Sequence, residues 1–330
     1  MGTFLTLTGA GAGASTAPPA GATYGYFSGG MTGAFGSSTE TAVTDRITFS
    51  TSTTAAQTTA DLSVARSRPA GLSDKSTYGY ILGGSTAGDG IGALTAMTDR
   101  ITFSTSTTAA NTASDLSAAK YDMSGLSDGS TYGYVAGGRT NPSAVATADR
   151  ITFSTGTTAA NTASNLSMAR YRAASVSDGS TYGYWVGGST DGFNYFDTAD
   201  RITFSTGATA ARTTADLSTA RYSPAGLSDG STYGYVAGGR SSTEVTLTDR
   251  ITFSTSATAA NTTSNLSGAK RYHAANSDGS AYGYWGGGYS GGALSTADKI
   301  TFSTGATAAQ TTANLSTVRW GLTGYADGAI

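Results

Sequence analysis

One block of residues recurs six times in this 330-residue chain, and that repetition limits the folds open to it. Each copy reads Tyr-Gly-Tyr, two residues, Gly-Gly, a variable stretch, Asp-Arg/Lys-Ile-Thr-Phe-Ser-Thr, a Thr/Ala-rich run, then Leu-Ser and a base. The copies begin at Tyr24, Tyr78, Tyr132, Tyr182, Tyr233 and Tyr282, with spacings of 54, 54, 50, 51 and 49. A period of about 50 residues with strand-type content indicates a propeller or array. One such unit cannot bury its own apolar faces, so neighbours must stack on each other.

Composition enters where function is concerned. Charged residues make up 12% of the chain and the formal net charge is −2, so no basic excess is present to neutralise phosphates. Nucleic acid is therefore not an expected partner. The absence of cysteine removes disulfides and thiolate zinc sites. The start, Met1 to Thr8, lacks the basic segment and long apolar core of a signal peptide, and no apolar run is long enough to span a membrane as a helix.

The third unit shows the expected strands. Residues 123–127 are small and apolar and end in Asp128 and Gly129, a pair suited to a two-residue hairpin turn. Residues 131–136 follow, with Tyr132 and Tyr134 on one face and Gly133 on the other. Residues 150–155 put Ile151 and Phe153 on one side, and 157–166 supply an outer strand. Four antiparallel strands per repeat make a propeller blade. The small-residue strand belongs innermost, where six strands crowd the axis. Tyr-x-Tyr and Ile-x-Phe faces then pack blade on blade.

The chain ends specify closure. It enters the repeats at a second strand (Thr23 to Tyr26) and finishes with Gly321 to Gly328, which match an inner strand and its turn. The predicted fold is all-β: a six-bladed propeller over 23–330, closed by the C-terminal inner strand joining the N-terminal blade, with residues 1–22 as a separate arm. Closure also removes the open sheet edge.

These residues resemble the kelch repeat family, whose units run from a strand ending in Gly-Gly, through a loop and two further strands, to an Arg before the next blade. Here Tyr132 to Gly138, Arg150 to Phe153 and Leu166 to Arg170 follow that order. The family's outer-strand Trp is replaced by Thr and Ala, which makes the chain a divergent, kelch-like relative. Asp149 to Ser154 and Asn165 to Tyr171 are also similar to repeat proteins of cyanophages and other environmental phages. That resemblance implies a virion component, near a tail or fibre, with the extracellular particle as its location.

Twelve of the 21 acids are repeat positions: Asp45, Asp99, Asp149, Asp200, Asp249 and Asp298 before the Ile-Thr-Phe units, and Asp74, Asp128, Asp178, Asp229, Asp278 and Asp327 in the inner turn. The repeated Asp-Arg pairs read either as a ring of anion sites or as structural salt bridges and turn hydrogen bonds, and the second reading is preferred. His273, the only histidine, excludes a multi-histidine metal site and reads as a hydrogen-bonded rim residue. No nucleophile with an adjacent base stands out. The expectation is a non-enzymatic chain with no catalytic residues, no metal and no cofactor.

Single-copy chemistry concentrates in the stretches after Gly-Gly (31–44, 85–98, 139–148, 189–199, 240–248 and 289–297), which share one rim of the disc. Loops on a rigid scaffold commonly carry recognition. The candidate binding residues are Phe193, Asn194, Tyr195 and Phe196, with Arg139, Arg240 and Tyr289 of the same kind. Aromatic faces beside polar groups suit a protein contact or a host surface glycan. Phe4, Leu5 and Leu7 are the expected anchors of an assembly arm reaching other virion proteins or a second copy of the chain. Asn165, Asn265 and Asn314 match a glycosylation sequon, yet they occupy one repeat position and read as scaffold. Together these features point to a structural or adhesion component, with a glycan-binding propeller as the alternative.

Overall fold

The computed structural model describes residues 21–88 and 93–328. In the third repeat, Ser124–Ser127, Tyr132–Ala136, Ala148–Thr152 and Thr157–Ala160 hydrogen-bond in that order as one antiparallel sheet. Six such four-stranded sheets form the six blades, and a two-stranded ribbon (Met31–Thr32 with Thr39–Glu40) sits in the first loop. Blade 1 is the N-terminal one and the others follow in chain order.

The inner hairpin forms because Asp128 caps it: one carboxylate oxygen accepts N–H groups from Ser130, Thr131 and Tyr132 at 2.9, 2.7 and 2.9 Å. Gly133 then allows blade 2 to approach, since a Cβ there would lie 2.7 Å from the Leu72 side chain. Tyr134 points the other way and stacks on Phe204 of blade 4, with ring centroids 5.9 Å apart. The same contact recurs in all six wedges: Tyr26–Phe103, Tyr80–Phe153, Tyr184–Phe253, Tyr235–Phe302 and Tyr284–Phe49. Such ring pairs are worth about 0.5–1.5 kcal/mol each beyond the area they bury. Gly137 and Gly138 end the second strand at φ of 68° and 98°, a left-handed conformation that glycine adopts without strain.

The ring closes through the chain ends. Thr323–Ala326 forms the inner strand of blade 1 and pairs with Tyr24–Ser28, from Gly25 opposite Ala326 to Ser28 opposite Thr323. The Asp327 carboxylate accepts the N–H groups of Thr23 and Tyr24 at 2.8 and 2.9 Å, doing across the ends what Asp128 does within one hairpin.

The first two strands begin one residue later than expected, and the other two differ more. The third strand spans Ala148–Thr152, because Gly156 N–H bonds back to Thr152 O at 2.8 Å and turns the chain. The outer strand stops at Ala160, and a 3₁₀ turn (Thr162–Ser164) sends the chain back towards the axis. Phe4, Leu5 and Leu7, the expected arm anchors, lie outside the described residues.

Candidate functional site

The repeated charges hold the ring. Each base after the outer strand pairs with the Asp of the next blade's third strand. The pairs are Arg66–Asp99, Lys120–Asp149, Arg170–Asp200, Arg221–Asp249, Lys270–Asp298 and, across the closure, Arg319–Asp45. Arg221–Asp249 is 2.7 Å long and fully buried, and Arg221 also donates to Val236 O at 3.0 Å. The pair clamps the incoming chain onto the blade it is about to build. The base next to each Asp, Arg in five copies and Lys299 in the sixth, serves elsewhere: Arg150 sits over the Tyr132 ring at 4.3 Å. The sequon asparagines belong to a third repeated set, with Asn165 accepting the Ala148 N–H at 2.9 Å where Asp115 accepts that of Thr98 at 2.8 Å.

His273 is a correction. It is 5% exposed and wedged beside Gly238 and Gly288, not placed at the rim. Burial, with Lys270 nearby, lowers its pKa to about 3, so the ring is neutral. Other blades place Pro69, Met123, Ala173, Pro224 and Leu322 at this position.

The axis has two unlike ends. Its middle is a channel of about 160 Å³ lined mainly by small inner-strand residues such as Gly125, Ser175 and Gly226. At the loop-face mouth, the residue two past each repeated base forms a closed circuit of backbone bonds. Asp122 N–H donates to Arg68 O, Arg172 to Asp122, Ser223 to Arg172, Tyr272 to Ser223, Gly321 to Tyr272 and Arg68 to Gly321, at 2.6–3.3 Å. All six residues have φ between 55° and 65°, and five are not glycine. The circuit holds them in this otherwise costly conformation.

Around this mouth the repeats disagree. Phe35, Tyr195, Tyr222, Tyr272, Tyr289 and Trp320 form a continuous aromatic group, with Phe35–Trp320 at 4.2 Å and Tyr195–Tyr222 at 4.7 Å. Arg271 lies over four of these rings at 5.1–5.7 Å, donates to the Tyr222 hydroxyl, and pairs with Glu244 at 3.1 Å. Trp320 and Tyr272 are buried and form the base, while Phe35, Tyr195 and Tyr289 keep partly open edges.

The candidate loop residues divide. Phe193 is 85% exposed on a fixed tip, because the Asp191 carboxylate accepts the N–H groups of Phe193 and Asn194, each at 2.8 Å, and the Asn194 amide at 2.6 Å. Those backbone bonds lower the Asp191 pKa. Tyr195 and Tyr289 join the aromatic group, whereas Phe196 is half-buried and gives its backbone to Gly188 and Arg221. Arg139 lies over Tyr171 at 5.2 Å, and Arg240 meets Glu244 at 3.4 Å. Sequence reasoning missed Phe35, Tyr222, Arg271, Tyr272, Trp320, Arg68 and Arg172. For all but Phe35 a signal was available: the two positions after each repeated base vary between copies, the second as Arg68, Asp122, Arg172, Ser223, Tyr272 and Gly321.

The class defined by these observations is a closed, internally repeated six-bladed β-propeller with a chemically distinct loop face. No protein-family model matches the chain, and no curated protein matches it. No helix among the described residues is long and apolar enough to cross a membrane.

Proposed function

We propose that this chain is a non-enzymatic recognition scaffold whose loop face binds another protein, acting as a structural or adhesion component of a virion. The observation that carries the reading is the aromatic group drawn from blades 4, 5, 6 and 1, with Phe193 displayed beside it. Rigid aromatic anchors on a preordered surface are the usual energetic centre of a protein interface. The kelch-like order of elements and the phage-like motifs supply the setting. An arm at residues 1–22 anchoring the disc, through Phe4, Leu5 and Leu7, belongs to the same reading.

A photo-cross-linking residue at position 193, used in intact particles, tests this. Cross-links to a second virion protein, lost when Tyr195 and Tyr289 are both changed to Ala, are the expected result. Specific glycan-array binding that disappears in Tyr195→Ala and Phe196→Ala would assign a lectin instead.

A further inference from the structure

The six mouth positions carry unlike side chains: Arg68, Asp122, Arg172, Ser223, Tyr272 and Gly321. They surround a cavity of about 90 Å³ at the loop-face end of the axis. Arg68 and Arg172 flank one carboxylate there, that of Asp122, at 3.9 and 2.8 Å. Arg172 Nε donates to Asp122 Oδ2 at 2.8 Å, which fixes the guanidinium plane. The rings of Tyr171, Tyr222 and Tyr272 hold it at 4.9, 5.5 and 4.8 Å. Among the described residues, neither terminal nitrogen of Arg172 has a hydrogen-bond partner. The Ser223 hydroxyl, on a residue 5% exposed, is likewise unpartnered among them.

We propose that this mouth is a carboxylate-binding site, in which Arg172, positioned by Asp122 and flanked by Arg68 and Ser223, receives an acidic side chain of the partner protein. The inference rests on the loop face meeting a protein and names the chemistry that partner brings. A guanidinium held by its Nε presents two parallel N–H donors, the geometry that a carboxylate accepts in bidentate fashion. Largely buried donors left without acceptors are costly, and a carboxylate supplies an acceptor to each arm of the fork. The cavity is small, which suits a carboxyl group on a short stem.

Calorimetric titration of the full chain with a hexaglutamate peptide tests the site, with hexaglutamine as the neutral control. Hexaglutamate alone is expected to bind. Arg172→Lys, which keeps the charge and loses the fork, is expected to weaken binding about tenfold, and Arg172→Gln by more. Ser223→Ala leaves every charge in place and is expected to weaken it a few-fold. Circular dichroism and the melting midpoint confirm that each variant is folded. Equal affinity for Arg172→Gln and the parent, or no binding to the parent, overturns the proposal. So does displacement of hexaglutamate by inorganic phosphate at lower concentration than by acetate, which would assign a phosphate carrier. The position-193 cross-link separates the two readings: if it persists while hexaglutamate fails, only the carboxylate site is wrong.

Discussion

The two mouths of the propeller share one geometry and use it in opposite ways. On the turn face, six aspartates spend their carboxylates on their own backbone, as Asp178 does for Ser180, Thr181 and Tyr182. The following position is glycine in five copies and Lys75 in the sixth, whose chain lies against Gly129 and Gly179. On the loop face, the backbone satisfies itself through a circuit of six N–H to C=O bonds. Side chains there owe nothing to the turn and have diverged to Arg, Asp, Arg, Ser, Tyr and Gly. A position becomes free to carry recognition chemistry once its local fold no longer depends on its side chain.

That contrast can be broken from the repeated side first. Arg221→Ala leaves Asp249 buried and unpaired and is expected to cost about 3–5 kcal/mol in urea unfolding. Replacing both partners with apolar residues is expected to cost much less. Gly133→Ala forces a Cβ to 2.7 Å from Leu72 and is expected to cost about 1–3 kcal/mol by the same measurement.

His273 sharpens the comparison through pH. Its folded pKa of about 3 lies below the unfolded value of 6.5, so the unfolded chain binds the extra proton. Its contribution is complete above pH 6.5 and declines as pH falls towards 3, by up to about 1.4 kcal/mol per pH unit. His273→Leu, which copies Leu322 of the neighbouring repeat, is expected to remove that share of acid sensitivity. A parent and variant with parallel pH profiles would count against the buried neutral ring. Phe193→Ala is expected to shift stability by less than about 0.5 kcal/mol, since the side chain is 85% exposed.

Most of the fold was legible because six copies vote on each position. Tyr134 and Phe153 could be placed in blade-to-blade wedges from alternation alone, and the match of Thr323–Ala326 to an inner strand revealed the closure. The outer strand was read too long because its Thr and Ala run continues into the 3₁₀ turn without a change in composition. The loop face was only half legible. Phe193 stood out as a single-copy aromatic, but Phe35 meets Trp320 only after the ring closes. Tyr272 and Arg172 sit just past the repeated base, outside the loops where single-copy residues were sought. Asp122 gained meaning only when the circuit placed it next to Arg172.

Both mouths exist only if the chain ends share one blade. Amide hydrogen exchange of the inner strands measures this directly. Residues 323–326 are expected to be protected to the same degree as 70–73 and 225–228, all exchanging with global unfolding. Fast exchange at 323–326, with the other five inner strands still protected, would mean an open array and would contradict the account.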